Sequence, residues 1–140
     1  MSPQAGDQIP PLDVPAVDAE KMKTMAALLA DSNPIHWDAA AVRSVGLGDR
    51  PVNQGPTNMA YVLNMLCSWA GGYDRLERVT FRLTDNVCAG DAVRATGTVT
   101  EVRPDASGMV ADCDVRLEIA GGGAALSGTA TVHLPEAGRS

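Results

Sequence analysis

The sequence predicts an α+β chain in which an antiparallel sheet curls around one buried helix. Two observations carry that expectation. Residues 55–70 are apolar around nearly their whole circumference, and the second half of the chain holds four stretches in which apolar and polar residues alternate. A helix without a wet face must be covered, and a strand with one dry face must cover something. In a chain of 140 residues each is the natural partner of the other, and helices followed by strands is the α+β order.

The elements follow in sequence. Residues 1–15 form an extended leading segment, because Ile9-Pro10-Pro11-Leu12 and Val14-Pro15 exclude a helix. Asp18 is placed to cap a helix running through Leu29, with Met22, Met25, Ala26 and Leu29 on one apolar face. Asn33-Pro34 then breaks the chain, since Pro34 fixes its own φ and pushes Asn33 into an extended conformation. Asp38 caps a short helix, Ala39 to Val45, stopped by Gly46, and a polar loop runs from Leu47 to Gln54. Gly55-Pro56 opens the long helix and Gly71-Gly72 closes it. Its only polar stripe is Asn58, Tyr61, Asn64 and Ser68. Alternation then marks strands around Val79, Phe81 and Leu83, around Val93, Ala95 and Val99, from Cys113 to Ile119, and from Leu126 to Leu134. Turns fall at Ala89-Gly90-Asp91, at 104–108 and at Gly121-Gly122-Gly123. The chain reads as one domain over 1–140, with a flexible tail at 136–140. Such a sheet has open edges, and pairing with a second subunit would remove one, so a dimer is expected.

Composition narrows the function classes. Eleven Lys and Arg against 17 Asp and Glu give a net charge of −6, which disfavours nucleic acid and anionic membrane as partners. No apolar run approaches the roughly 20 residues of a membrane span. The first fifteen residues lack the basic start and apolar middle of a signal peptide, so a cytoplasmic protein is expected. Cys67, Cys88 and Cys113 are too scattered for a disulfide framework or a zinc site, and Cys67, on the buried helix, is expected to be inert.

The chemistry concentrates at Asp31-Ser32-Asn33-Pro34-Ile35-His36-Trp37-Asp38, which holds one of the two histidines. The Asn-Pro bend lets Asp31 and His36 point into one cleft, where a straight helix would turn them apart. A carboxylate beside an imidazole is equipment for moving protons near neutral pH. Asp38 reads as a helix cap and His133, on a Thr-rich strand face, as a surface residue.

This octapeptide resembles the D-x-N-P-[IL]-H-x-D motif of the MaoC-like, R-specific enoyl-CoA hydratases. Gly6 to Leu12 resembles that family's leading segment, and Val87-Cys88-Ala89-Gly90-Asp91 resembles its V-x-x-G-D turn. The resemblance implies a hot-dog fold and the reversible addition of water to a trans-2-enoyl thioester. It implies Asp31 and His36 as the proton-handling pair. It implies the Gly55 N–H as donor to the thioester oxygen; Asn33 is read as bracing the bend, and Gln54 as either a substrate contact or a simple loop residue. No metal and no bound cofactor are expected; coenzyme A, or an acyl carrier, belongs to the substrate. The sequence departs from the family at Gln54, where a histidine usually precedes the glycine. Two alternatives stand beside this one. The chain could be a subunit, catalytic or silent, of a heteromeric MaoC-type hydratase acting on steroid or long-chain acyl thioesters. A hot-dog thioesterase is the other, disfavoured because residues 55–70 contain no carboxylate. Small residues at Ala60, Ala95, Gly97 and Ala130 are expected to leave room for a bulky acyl group.

Overall fold

Five antiparallel strands form one sheet in the order β1-β3-β4-β5-β2 in a computed structural model that describes residues 2–106 and 108–135. The strands are β1 (Gln8–Val14), β2 (Leu76–Leu83), β3 (Val93–Asp105), β4 (Gly108–Ile119) and β5 (Ala124–Leu134). Three α-helices lie between the first two strands: α1 (Ala19–Leu28), α2 (Ala39–Ser44) and α3 (Gly55–Ala70). Helix α3 packs against all five strands, so the expected wrapped helix is present. The expected tail at 136–140 lies outside the described residues.

The leading segment is more than extended. It is edge strand β1, paired with β3, and the register slips between Ile9 and Leu12. Pro10 and Pro11 occupy that slip, where two missing N–H donors cost no ladder bonds. Asp18 caps α1 as expected, its Oδ1 accepting from the Glu20 N–H at 2.8 Å, and Asp38 caps α2 through the Ala40 N–H. Helix α1 stops at Leu28, however, and Leu29 is exposed. Only Met22 and Ala26 of its expected apolar face are buried.

The core lies between α3 and the inner face of the sheet, with Val62, Met65 and Leu66 meeting Val99, Val115, Leu117 and Val132. Burying side chains of this size contributes roughly 1.5–3 kcal/mol each. Gly97 faces this core, but its open space is already filled: a Cβ there would meet Ile9 Cδ1 at 2.8 Å and Met65 Cε at 3.2 Å. Ala95 and Ala130 are likewise buried in the core. The room expected for an acyl group is therefore absent at these positions. Leu83, expected to face inward, is 53% exposed at the end of β2. Cys67 is half-buried rather than buried, and what burial it has pushes its thiol pKa up.

On the outer face, Arg103 bonds Asp112, which also accepts from Thr131 Oγ1 at 2.9 Å. His133 stands on the same face between Glu77 (2.9 Å) and Asp105 (3.4 Å). No helix among the described residues is long and apolar enough to cross a membrane.

Candidate active site

The bend after α1 is made by backbone hydrogen bonds. The Ala30 N–H donates to Ala27 O at 3.3 Å and the Asp31 N–H to Ala26 O at 2.9 Å, the paired closure of a Schellman turn. The residue at its apex is left-handed, and here it is Ala30, at φ 51°. It is the one non-glycine at positive φ among the described residues. A Cβ in that region costs roughly 1–2 kcal/mol, so the turn is held under strain immediately before Asp31.

From there the side chains build the bend themselves. Asp31 Oδ1 accepts from the Asn33 N–H at 3.0 Å, and Asn33 Oδ1 accepts from the Ile35 N–H at 3.3 Å. Pro34–His36 forms a single 3-10 turn that Asn33 caps. Asp31 Oδ2 thereby comes to 3.1 Å from His36 Nε2. The imidazole is buried, with 9% of its side chain exposed, while the carboxylate keeps 34%. Asp31 is thus the more exposed member of the pair and His36 the buried one.

The other ring nitrogen fixes the chemistry. His36 Nδ1 lies 2.6 Å from Val52 O. A carbonyl only accepts, so Nδ1 carries a proton. Nε2 and Asp31 Oδ2 are then two acceptors unless a second proton sits between them. With that proton the pair holds one it can donate. Without it, both converge on the hydrogens of one water molecule.

Val52 begins a four-residue strap whose first three residues each bond a different neighbouring segment. Val52 N–H bonds Ile35 O at 2.9 Å, which completes the hold on the 3-10 turn. Asn53 N–H bonds Val87 O, and its side chain donates to Asn58 Oδ1 at 2.8 Å. Gln54 is only 1% exposed, and its Nε2 donates to Met22 O of α1 at 2.9 Å. Its carbonyl accepts the first bonds of α3, from the Thr57 and Asn58 N–H groups. The Gly55 N–H has no acceptor among the described residues. Pro56 has no N–H, so Gly55 presents the free donor at the positive end of a sixteen-residue helix. A Cβ on Gly55 would stand 3.0 Å from Leu83 Cδ1.

The structure therefore brings Asp31, Asn33 and His36 into one hydrogen-bonded bend and ties that bend to the residues preceding Gly55. It turns Gln54 inward, onto α1. The polar stripe of α3 divides. Tyr61 and Asn64, with Thr57, line a cavity of about 470 Å³ whose opposite wall includes Val14, Val17 and Met25. Ser68 lines a separate hollow with Pro10, Pro11 and Trp69. Asn58 is buried at 3% exposure against Asn53. Among the described residues no three His, Cys, Asp or Glu side chains gather as metal ligands would. Sequence reasoning missed Ala30 and the Val52 carbonyl. The left-handed position gives itself away when occupied by glycine, and a carbonyl leaves no mark on the residue that bears it.

Solved structures with a similar overall fold include hydratases of the hot-dog fold. The sequence profile of the MaoC-like domain matches residues 6–117, and the chain belongs to this MaoC-like dehydratase family. The (R)-hydratase from A. caviae involved in PHA biosynthesis superposes with a TM-score of 0.83 at 27% identity, over 96% of this chain and 98% of that one. The R-hydratase PhaJ1 from Pseudomonas aeruginosa gives a TM-score of 0.83 at 21% identity, over 96% and 83% of the two chains. The ChsH1–ChsH2 complex from Mycobacterium tuberculosis gives 0.79 at 21% identity, over 96% and 99%. No curated protein sequence matches the chain significantly.

Proposed function

We propose that this protein is an R-specific enoyl-CoA hydratase, adding water reversibly across the double bond of a trans-2-enoyl thioester. The observation that carries the reading is the Asp31–His36 contact at 3.1 Å, with the imidazole oriented by Val52 O. In the hydration direction one water donates to both Asp31 Oδ2 and His36 Nε2. Its oxygen bonds the β-carbon of the substrate as the pair takes a proton from it. The carbonyl oxygen gains negative charge and is met by the Gly55 N–H; the pair then returns a proton to the α-carbon. The two titrating groups act as a unit, so the proton count belongs to the pair. The substrate brings its own coenzyme A or acyl carrier, and the reaction calls on no metal or bound cofactor.

The test is hydration of crotonyl-CoA and of a longer or ring-bearing enoyl-CoA, followed by loss of the conjugated thioester absorbance. Asp31→Asn and His36→Ala are each expected to lower turnover by roughly 10²–10⁴-fold, the usual worth of a positioned acid or base. Turnover that survives both substitutions would place the chemistry elsewhere.

We further propose that the chain works as a dimer, because β1 and β2 end the sheet with unpaired backbone. The likeness to the ChsH1–ChsH2 complex supports a second reading, in which the partner is a different hot-dog chain; in that reading we propose a steroid or long-chain acyl thioester as substrate. A folded, purified chain that is monomeric and inactive alone, yet active with such a partner, would decide for that reading.

A further inference from the structure

We infer that Gln54 is a positioning residue for this reaction, setting where the Asp31 carboxylate stands relative to His36 and the Gly55 N–H; the inference rests on the function proposed above. The contacts form a closed ring. Gln54 Nε2 donates to Met22 O at 2.9 Å. One helical turn later, Ala26 O accepts the Asp31 N–H at 2.9 Å. Asp31 Oδ2 meets His36 Nε2 at 3.1 Å, and His36 Nδ1 meets Val52 O at 2.6 Å. Val52 lies two residues from Gln54 along the strap, and the ring is complete.

Every link but one is backbone or belongs to the pair itself. The amide of Gln54 is the single outside side chain in it, and it joins the helix that delivers Asp31 to the residue that precedes Gly55. Gln54 is 1% exposed; its nitrogen is held by Met22 O while its buried Oε1 has no partner among the described residues, so the contact it does make acts on the helix that delivers Asp31. The turn at Ala30, φ 51°, joins the end of α1 directly to Asp31. The Asp31 N–H is bonded to Ala26 O across this left-handed residue, so a displacement of α1 moves the carboxylate with it. A site that must hold groups within fractions of an ångström loses rate when such a support is removed.

Gln54→Met keeps the length and removes the donor. Its kcat for enoyl-CoA hydration is expected to fall about tenfold, with KM within about twofold of wild type. In an Asp31→Asn background the same substitution is expected to change kcat less than about twofold, because the group it positions is gone. Independently of turnover, the ¹⁵N resonance of His36 Nε2 is expected to shift in Gln54→Met toward its position in Asp31→Asn. A wild-type His36 resonance with wild-type kcat in the folded variant would overturn the inference. So would an equal loss of kcat in both backgrounds, or a rise in KM alone. If the wild-type chain hydrates no enoyl thioester, the proposed function fails by itself, and the His36 resonance still decides the role of Gln54. Should Gln54→Met not fold, Gln54→Glu carries the same test. Its protonated acid can donate to Met22 O and its carboxylate cannot, so the His36 resonance must follow an added titration; without one, the inference falls.

Discussion

Cys113 shows how far a single buried residue can bias the stability of this protein. Its thiol lies on β4 at 1% exposure, and burial, with Asp112 and Asp114 beside it, pushes its pKa from 9.0 up to about 11. Below pH 9 the thiol is protonated whether the chain is folded or not, and folding gains nothing from the shift. Between about 9 and 11 the unfolded chain releases this proton and the folded chain keeps it, so stability falls as pH rises. The full shift corresponds to roughly 2–3 kcal/mol. Urea midpoints of wild type and Cys113→Ala from pH 8 to 11 are expected to converge as pH rises, because only wild type carries this loss. Parallel curves would mean that the thiol ionises freely in the fold. At this same scale the sequence was legible where chemistry needed unusual neighbours. Asp31 and His36 stood out because Asn33-Pro34 breaks the chain between them, whereas Ala30 looked like any alanine at a helix end.

Helix α3 was the most legible element, because its boundaries are written in glycine and proline. Gly55-Pro56 opens it, and Gly71, at φ 96°, closes it. The same opening supplies the free N–H, and that role can be separated from the glycine's small size. Gln54 stands at φ −67°, ψ 142°, already the conformation preferred before a proline. Gly55→Pro therefore suits the residue before it, and removes the N–H while adding the same Cβ beside Leu83 that Gly55→Ala adds; it is expected to lower kcat about 10²-fold, the lower end for an oxyanion donor. Gly55→Ala keeps the N–H and presses on the mobile end of Leu83, so kcat is expected within a few-fold of wild type. Equal losses in the two variants would make bulk, not the donor, the reason for glycine. The helices before α3 were legible through their caps, Asp18 and Asp38. The end of α1 was legible to within one residue, but not the Schellman turn that stops it, which is made by backbone groups.

Across the whole molecule, the strands of the second half were readable from alternation because one face is dry and the other wet. Strand β1 was not. Two prolines hide it, and the register slip that tolerates them arises only from its pairing with β3. That pairing gives the sheet a timetable. The β3–β4 and β4–β5 contacts close over short turns, Asp105 against Gly108 and Glu118 against Ala124, whereas β1 joins Ile9 to Gly97 across most of the chain. Distant contacts carry the larger entropy of closure and form late. The bend with Asp31 and His36 hangs between this late strand and α3, so the sheet and its central helix are expected to assemble before the bend does. The two tryptophans can time the steps: Trp69 lies on α3 and Trp37 directly follows His36. In stopped-flow refolding of Trp37→Phe and Trp69→Phe, the Trp69 signal is expected to settle first and the Trp37 signal afterwards, together with recovered activity. A single shared rate would mean that bend and sheet cross the same barrier. With separate rates, a freshly made chain passes through an interval in which its sheet already wraps the helix while the Asp31–His36 bend is still unformed.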